Sequence, residues 1–382
     1  MYEIEKNSIK VLIVIGSLEI GGAEKHVATL ARQLREHSIK VGVCALSTAG
    51  TLKNGLQEDG VEVFYPNHEG KFNSLINKIK ILRALFSYVK SAWVFLYAYY
   101  IFRPQVAHFF LPGAYIIGGL TSLITPCKAR VMSRRSLNFY QQGKPFLTKL
   151  EYFLHTKMDK VTGNSKSVID DLIAEGVPSE KLKLIYNGVS IPERPETRVK
   201  KLTNRIEIVC VANLIPYKGH LDLFEALAAV PKVFSWHLTC VGRNDNYLTE
   251  LESATFNFGI SNFVDFVGPV SDPLPYLAKA DIGVNCSHQE GFSNALLEYM
   301  ASGLGIVATD VGGNGEAVRH QIDGIIVSSR KPPEMTRAIM ALFEKSFRER
   351  LGNSARQRAI NTFASRNCMV SYAKMYRELI EV

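Results

Sequence analysis

Short runs of aliphatic and β-branched residues alternate along the chain with segments whose apolar positions recur at helical spacing. Such runs are typical of strands buried on both faces of a parallel sheet. In the first half of the chain they lie at 9–16, 39–46, 61–66, 104–111, 129–133, 160–165 and 182–188. Between the first two runs, Ala23, Val27, Leu30 and Leu34 share one helical face. Strands that alternate with helices predict a parallel, doubly wound α/β sheet.

The alternation stops at 191–204, a segment rich in Pro and charge, and then starts again. The later runs lie at 206–214, 235–242, 262–268, 280–287, 305–311 and 324–328. The pattern predicts two facing Rossmann-like domains, 1–190 and 205–360, joined by a linker at 191–204. We expect a C-terminal helix at 361–382 that packs back toward the N-terminal domain. Because ligands bind at the carboxyl ends of parallel strands, we also expect a deep cleft between the domains.

The composition is that of a folded protein of 382 residues, with 47% hydrophobic and 21% charged residues. The six cysteines lack C-x-x-C spacing and most lie in apolar runs, which favours reduced core thiols in a cytosolic protein. No secretory signal is recognised at the N-terminus. The uncharged apolar run at 91–102 is too short to cross a bilayer as a helix.

The net charge of +9 comes from the first half of the chain. Residues 71–150 contain twelve Lys or Arg and no Asp or Glu, and their first part mixes these cations with aromatic and aliphatic residues. A field of one sign favours an anionic partner, and this mixture is typical of a membrane interface. A solvated surface or a buried helix remains the alternative. We expect binding to an anionic membrane surface through 71–150, and no binding to nucleic acid.

The segment QEGFSNALLEYMASG carries Glu290 and Glu298 on either side of a predicted helix N-terminus. Ser293 is the expected N-cap, and the amides of Phe292, Ser293 and Asn294 are suited to phosphate oxygens. The two carboxylates could be an acid/base pair, contacts to ligand hydroxyls, or helix decoration. Their offset of about one helical turn or more favours two separate contacts to an extended ligand.

Three other loops resemble this one in that glycines stand where a strand leads into a helix. Gly21 and Gly22 precede the first predicted helix, and the stretch GGNGE at 312–316 precedes a later one. Lys218 stands before a glycine in the loop that follows the first strand of the second domain, where its ammonium can neutralise a diphosphate. A plain turn or a solvated lysine is the alternative at each place.

The combined pattern resembles the retaining nucleotide-sugar glycosyltransferases of family four, which have the two-domain GT-B fold. The resemblance rests on GGAE, SRRS, NSKSV, YNGV, ANLIPYKGH, EGFSNALLE and GGNGE, spread over nearly the whole chain. It implies that Glu290 binds hydroxyls of the transferred sugar, Glu298 binds the ribose and Lys218 neutralises the donor diphosphate. The implied donor-binding residues are Gly21, Gly22, Lys218, Glu290, Gly291, Phe292, Ser293, Asn294 and Glu298.

Two positions depart from the family's pattern. The family often has an arginine shortly before the lysine, and the candidate positions here are uncharged; Arg134 and Arg135 are possible replacements, as phosphate or acceptor contacts. The family frequently has an H-x-H element after the fourth strand, whose second histidine lies near the reacting sugar. Here Phe110 stands at the second position, so His108 is the remaining candidate. The catalytic candidates are Glu290, Lys218 and His108.

No D-x-D pair occurs in a suitable loop, so we expect neither a metal nor another cofactor. The resemblance implies front-face transfer of a hexose-type sugar from a UDP- or GDP-sugar to a lipid-linked or growing polysaccharide acceptor. It further implies a cytoplasmic protein, peripheral on the inner face of the membrane, in surface-polysaccharide or lipopolysaccharide assembly. The alternatives are a nucleotide-sugar epimerase of the same architecture and a non-catalytic protein that binds lipid or nucleic acid.

Overall fold

The computed structural model describes residues 8–19, 21–66, 80–193 and 205–381. The chain forms two compact units. The first comprises residues 1–186 together with 368–382, and the second comprises residues 187–367. Most of the predicted linker, residues 194–204, lies outside the described residues. The chain therefore crosses from the first unit to the second after Tyr186 and returns to the first at Cys368.

The first unit contains a parallel sheet of seven strands in the order β3-β2-β1-β4-β5-β6-β7. Its strands are β1 Ile9–Ser17, β2 Ile39–Thr48, β3 Glu62–Phe64, β4 Val106–Phe110, β5 Ala129–Arg134, β6 Lys160–Gly163 and β7 Leu182–Leu184. Each corresponds to one predicted run, so the predicted parallel, doubly wound sheet is confirmed. The strand order reverses between β1 and β4, which makes the carboxyl ends of these two strands a ligand-binding edge in folds of this kind.

The second unit repeats the arrangement with six parallel strands in the order β10-β9-β8-β11-β12-β13. Its strands are β8 Ile206–Val211, β9 Trp236–Val241, β10 Val264–Gly268, β11 Ile282–Asn285, β12 Gly305–Thr309 and β13 Ile325–Val327. Here the order reverses between β8 and β11. The loops that leave these two strands carry Lys218 and Glu290.

Helices cover both sheets. In chain order they are α1 Gly22–Gln33, α2 Leu52–Glu58, α3 Lys80–Phe102, α4 Pro112–Ser122, α5 Pro145–Lys157, α6 Lys166–Ala174, α7 His220–Ala228, α8 Leu248–Asn257, α9 Leu274–Leu277, α10 Asn294–Ser302, α11 Asn314–Ala317, α12 Pro332–Ala341, α13 Lys345–Arg358 and α14 Ser365–Glu381. The last helix begins in the second unit and ends in the first.

The alternation of side chains along β1 explains how the first unit is layered, because successive residues of a strand point to opposite faces. Val11, Ile13 and Ile15 pack with α1, α2 and α14 in one buried cluster. Leu12 and Val14 pack with α3, α4, α5 and α6 in another. The helices α3 to α6 therefore form the outer layer on one face of the sheet.

All six cysteines are buried thiols outside any disulfide, as predicted. The apolar run at 91–102 forms the second half of α3, whose buried side packs on the sheet. Within the part of the chain that the structure describes, no helix combines the length and the apolar character needed to cross a membrane.

Candidate functional site

The loops that follow β8 and β11 converge at the carboxyl edge of the second sheet. After β8 the chain makes a 3₁₀ turn, Pro216–Lys218, and enters α7 through Gly219, which has a φ of 72°. A Cβ atom at Gly219 would collide with the carbonyl oxygen of Cys286 in the other loop. Glycine is therefore needed here both for the left-handed backbone and for the close approach of the two loops.

Lys218 and Glu290 form an ion pair where the loops meet. The ammonium Nζ of Lys218 donates to Oε1 of Glu290 over 2.7 Å, and the side chains are only 18% and 11% exposed. Burial lowers the pKa of Lys218, but the charge and hydrogen bond of Glu290 outweigh it and hold this pKa above its ordinary value. The sequence predicted both residues as donor contacts, but it did not predict their contact with each other.

A hydrogen-bonded chain of small polar side chains holds Glu290 in place. The hydroxyl of Ser287 donates to Oε1 of Glu290 over 2.7 Å. Asn285, the last residue of β11, donates from Nδ2 to Oγ of Ser293 over 3.0 Å and accepts at Oδ1 from Nδ2 of Asn314 over 3.1 Å. Asn285, Ser287 and Asn314 were not predicted as site residues from the sequence. The available signal was an asparagine at the carboxyl end of a buried strand and another in GGNGE.

Ser293 caps α10, as predicted: its side chain accepts a hydrogen bond from the amide of Leu296 over 3.3 Å. The loop before the cap is held from below by the loop that follows β12. There Gly312, with a φ of 51°, leaves room for the carbonyl oxygen of Glu290, and Gly313 donates from its amide to the carbonyl of Gly291 over 2.9 Å. The second glycine pair thus supports the loop that bears Glu290.

The two glutamates of QEGFSNALLEYMASG occupy different elements. Glu298 lies half-buried in the second turn of α10, whereas Glu290 lies in the loop before the helix. Phe292 turns its ring inward and is 5% exposed, so it presents backbone and not side chain at the helix N-terminus. This geometry favours separate contacts to an extended ligand over a shared acid/base role, with backbone amides between the two carboxylates.

At the carboxyl edge of the first sheet, Gly21 is the N-cap of α1. The carboxylate of Glu24 folds back against Gly21. Arg135, just after β5, has a buried Nη1 with no hydrogen-bond partner. Burial lowers the pKa of Arg135, and the nearby Tyr372, Cys368 and Glu24 partly oppose this shift. The guanidinium of Arg135 therefore lies close enough to the first turn of α1 to interact with the charge of Glu24.

Arg134 does not fit the predicted role of a phosphate or acceptor contact, because its guanidinium is buried between two carboxylates. It pairs with Glu175 through Nη1 and with Glu151 through Nη2, the latter over 3.2 Å, and its side chain is 1% exposed. Tyr140 donates to Glu151 over 2.8 Å, and His155 bonds to Glu175 over 3.1 Å. Arg134 is committed to holding β5, α5 and α6 together, which leaves Arg135 as the available arginine.

His108 does not fit a place beside a reacting sugar. The residue is 0% exposed, and both ring nitrogens are occupied: Nδ1 bonds to the hydroxyl of Tyr376 over 2.6 Å and Nε2 to Oγ of Ser133 over 2.8 Å. Burial, aided by the charge of Arg135, lowers the pKa of His108 to about 3. Its position in the middle of β4 directs the imidazole toward α14, where it packs as a neutral side chain.

Two family models match the chain. "Glycosyltransferase Family 4" matches residues 20–192 and "Glycosyl transferases group 1" matches residues 205–345. Together they cover well over half of the chain, and each lies mainly in one of the two units.

Similar proteins include an uncharacterised glycosyltransferase of Methanocaldococcus jannaschii, 26% identical over 63% of this chain and 66% of that protein. The match thus spans just under two thirds of this relative's length. The capsular polysaccharide biosynthesis glycosyltransferase CapM of Staphylococcus aureus is 23% identical over 85% of this chain and 92% of its own. Anabaena HepE, crystallised with UDP and glucose, superposes with a TM-score of 0.81 at 22% identity, over 97% of this chain and 100% of HepE.

Arg134→Ala will lower the stability of the first unit by about 3–5 kcal/mol, because two buried carboxylates lose their cation. Burial raises the pKa of Glu175, but hydrogen bonds from His155 and Arg134 outweigh it and hold this pKa below its ordinary value. The network around Arg134 therefore contributes its full stabilisation when the pH is above the ordinary pKa of a glutamate, and this stabilisation is lost as the pH falls below that pKa. Thermal unfolding at neutral and acidic pH will show the difference between wild type and variant narrowing with acid.

Arg32→Ala is the matched control, since the Arg32–Asp59 pair is 41% and 47% exposed and should contribute about 1 kcal/mol or less. Equal losses in the two variants would contradict the structural role of Arg134.

Proposed function

Because this chain belongs to the family-4 glycosyltransferases, enzymes with the two-domain GT-B fold, we propose that it transfers a hexose-type sugar from a UDP- or GDP-sugar. The acceptor is a lipid-linked or growing polysaccharide. The observation that carries the proposal is the Lys218–Glu290 pair at the N-terminus of α10, which sets a cation, a carboxylate and helix amides side by side. CapM, named for capsular polysaccharide, and HepE, bound to UDP and glucose, support the choice of acceptor and donor.

When the donor binds, the ion pair between Lys218 and Glu290 would be replaced by contacts of each residue with the donor. The diphosphate offers Lys218 a better anionic partner than one carboxylate, and the amides at Phe292 to Asn294 add donors to the same phosphates. Glu290, still bonded to Ser287, is then free to accept hydrogen bonds from sugar hydroxyls. The ribose of the donor lies toward Glu298, in the second turn of α10. In the first unit the Gly21–Gly22 loop and Arg135 are the donor or acceptor contacts.

We propose that transfer retains the anomeric configuration by front-face attack. The bond between the anomeric carbon and the diphosphate oxygen breaks, and the acceptor oxygen bonds to the same face of that carbon. The acceptor proton passes to the leaving phosphate oxygen. Lys218 and the helix amides stabilise the charge that develops on the diphosphate. Glu290 keeps its hydrogen bond from Ser287 after Lys218 turns to the diphosphate, which suits it to orient the sugar and not to act as a nucleophile.

Glu290→Ala will reduce sugar transfer by about 100-fold or more, because the sugar hydroxyls lose their charged acceptor in the transition state. The assay measures nucleoside diphosphate released from UDP- and GDP-sugars in the presence of a lipid-linked oligosaccharide acceptor. Glu250→Ala, an exposed glutamate of α8, is the matched control and should leave the rate unchanged.

Near-normal transfer by the Glu290→Ala variant would contradict the donor assignment. Isomerisation of the nucleotide sugar without acceptor would instead support an epimerase. Binding without any turnover, by the wild-type chain, would indicate a non-catalytic protein.

We further propose that no metal takes part. Among the described residues, no three or more His, Cys, Asp or Glu side chains come together as a metal site. The charge that a divalent cation would neutralise falls to Lys218 and the amides of α10. Transfer measured in EDTA should match transfer in untreated buffer, and a strict requirement for Mg²⁺ or Mn²⁺ would contradict the proposal.

The acceptor is proposed to be presented at an anionic membrane surface, on the cytoplasmic face, and α3 carries the main docking stripe. The side chains on the inward face of α3, such as Phe95, are buried against the sheet. The outward face is apolar as well, although it is exposed. The outward stripe consists of Phe86, Val89, Trp93, Tyr97, Tyr100 and Ile101, with Trp93 69% exposed. In the same layer of helices, α5 adds Phe146, 80% exposed, and Ile124 follows α4 with 74% exposed. Aromatic side chains exposed in this number are typical of a binding surface.

The charges around this stripe favour anionic lipid. From Phe86 to Lys157 the only carboxylate side chain is that of Glu151, which is 0% exposed and pairs with Arg134. The outer layer of helices therefore exposes cations, such as Lys149 and Lys157, and no compensating acid over this range. Such a surface is attracted to negatively charged headgroups while its aromatic rings enter the interface.

The double variant Trp93→Ser, Tyr97→Ser should bind vesicles containing phosphatidylglycerol about tenfold or more weakly, because two large apolar side chains no longer leave water. Sedimentation of vesicles measures the binding, which should also weaken with salt. Phe256→Ser, which removes an aromatic ring that is 77% exposed in the second unit, is the control. Binding that ignores lipid charge, salt and the double variant would contradict this surface.

A further inference from the structure

Both places where the chain passes between its two units lie against the loop that bears Glu290. The outgoing passage, residues 187–192, begins at Asn187, which is 2% exposed. Its Nδ2 donates to the carbonyl of Phe292 over 3.1 Å and to Oδ1 of Asn294 over 2.7 Å. A single amide group therefore holds the backbone before α10 and the first residue of that helix.

The same passage is tied to the other end of α10. Arg356, on α13, donates from Nη2 to the carbonyl of Pro192 over 2.7 Å, and its Nη1 donates to the carbonyl of Ala301 in the last turn of α10. Residues 187–192 are thus fastened to the N-terminus of α10 through Asn187 and to its C-terminus through Arg356. A shift of α10 must move this passage with it.

The return passage reaches the same loop through an aromatic contact. A single turn of π-helix, Ala359–Phe363, lies between α13 and α14, just before the chain returns to the first unit. Such π-helical turns are frequent at functional sites. It places the ring of Phe363, 1% exposed, 5.5 Å from that of Phe292. Arg358 stacks on Phe363 and donates to the carbonyl of Glu316 over 2.9 Å. Glu316 lies in α11, the short helix that follows the glycines beneath the Glu290 loop.

The two passages are also joined to each other. The amide of Val189 donates to the carbonyl of Phe363 over 2.8 Å, and the amide of Ser365 donates to the carbonyl of Val189 over 2.9 Å. The loop before α10, the outgoing passage and the return passage therefore form one hydrogen-bonded and packed assembly, all of it within the second unit.

We propose that Asn187 is a positioning residue that couples occupation of the donor site to the two passages of the chain between units. Ligand phosphates at the amides of Phe292 to Asn294 fix the loop that Asn187 grips. The fixed loop then restrains Val189 through Asn187, two residues before it, and restrains Phe363 through the ring of Phe292. Ser365 is restrained in turn by its bond to Val189. This inference rests on the proposed function, since it takes the ligand to be the diphosphate part of a nucleotide sugar.

Hydrogen exchange of the wild-type chain, with and without UDP or GDP, tests the coupling. The nucleotide should slow exchange at residues 290–294 and, by about tenfold, at the amides of Val189 and Ser365. In Asn187→Ala the protection should remain at 290–294 but be lost at Val189 and Ser365. A merely structural role for Asn187 would alter exchange equally with and without nucleotide. Asn257→Ala, at an exposed asparagine of α8, should behave as wild type.

Phe363→Leu provides a second variant if Asn187→Ala does not fold. It removes the ring contact with Phe292 and should reduce the nucleotide-dependent protection of Val189, whose amide is bonded to the carbonyl of Phe363, and that of Ser365, whose amide is bonded to Val189. Equal protection in wild type and in both variants would overturn the coupling alone. Absence of protection at 290–294 in the wild-type chain, with either nucleotide, would overturn the proposed donor site and the coupling with it.

Discussion

The close approach of two backbone loops at the carboxyl edge of the second sheet is the constraint on which the candidate site depends. Gly219 passes beneath the carbonyl of Cys286, and Gly312 passes beneath the carbonyl of Glu290. A side chain at Gly219 would force these two loops apart and separate Lys218 from Glu290, whose ion pair spans 2.7 Å. A side chain at Gly312 would displace the backbone of Glu290 itself. The chemistry of the site thus follows from a packing condition that only glycine satisfies.

Around that contact, buried polar side chains of the second unit orient Glu290 and the N-terminus of α10. Asn285 and Asn314 are almost fully buried and bond to each other and to the loop residues, so Glu290 and the N-terminus of α10 are held by strands β11 and β12. The first unit uses its strongest buried charges differently. Arg134, Glu151 and Glu175 form an internal network that fastens helices to β5 and offers nothing to a ligand. The two sheets share a topology, but the buried polar residues of the second unit orient the candidate site, whereas those of the first unit attach helices to the sheet.

Much of the architecture could be predicted from the sequence, because buried parallel strands are written as continuous aliphatic runs such as 9–16 and 305–311. All thirteen strands that the structure describes match predicted runs, and Ser293 is the predicted N-cap. The failures concern residues whose surroundings come from distant parts of the chain. Arg134 and His108 looked available because the sequence does not show that Glu175 and Tyr376 reach them in the fold. The Lys218–Glu290 pair was missed for the same reason, since the partners are far apart in sequence.

The proposed donor site consists of Lys218 and the amides at the N-terminus of α10, which bind the diphosphate of a nucleotide sugar. Thermal unfolding with UDP, GDP and their sugars, on wild type and on Lys218→Met, tests it most directly, because a ligand that binds the folded chain raises its unfolding temperature by mass action. The unfolding temperature of the wild-type chain should rise with the concentration of one nucleotide, whereas that of Lys218→Met, in which the apolar stem is preserved, should rise little or not at all. A rise of the same size in both proteins would contradict the proposed donor site.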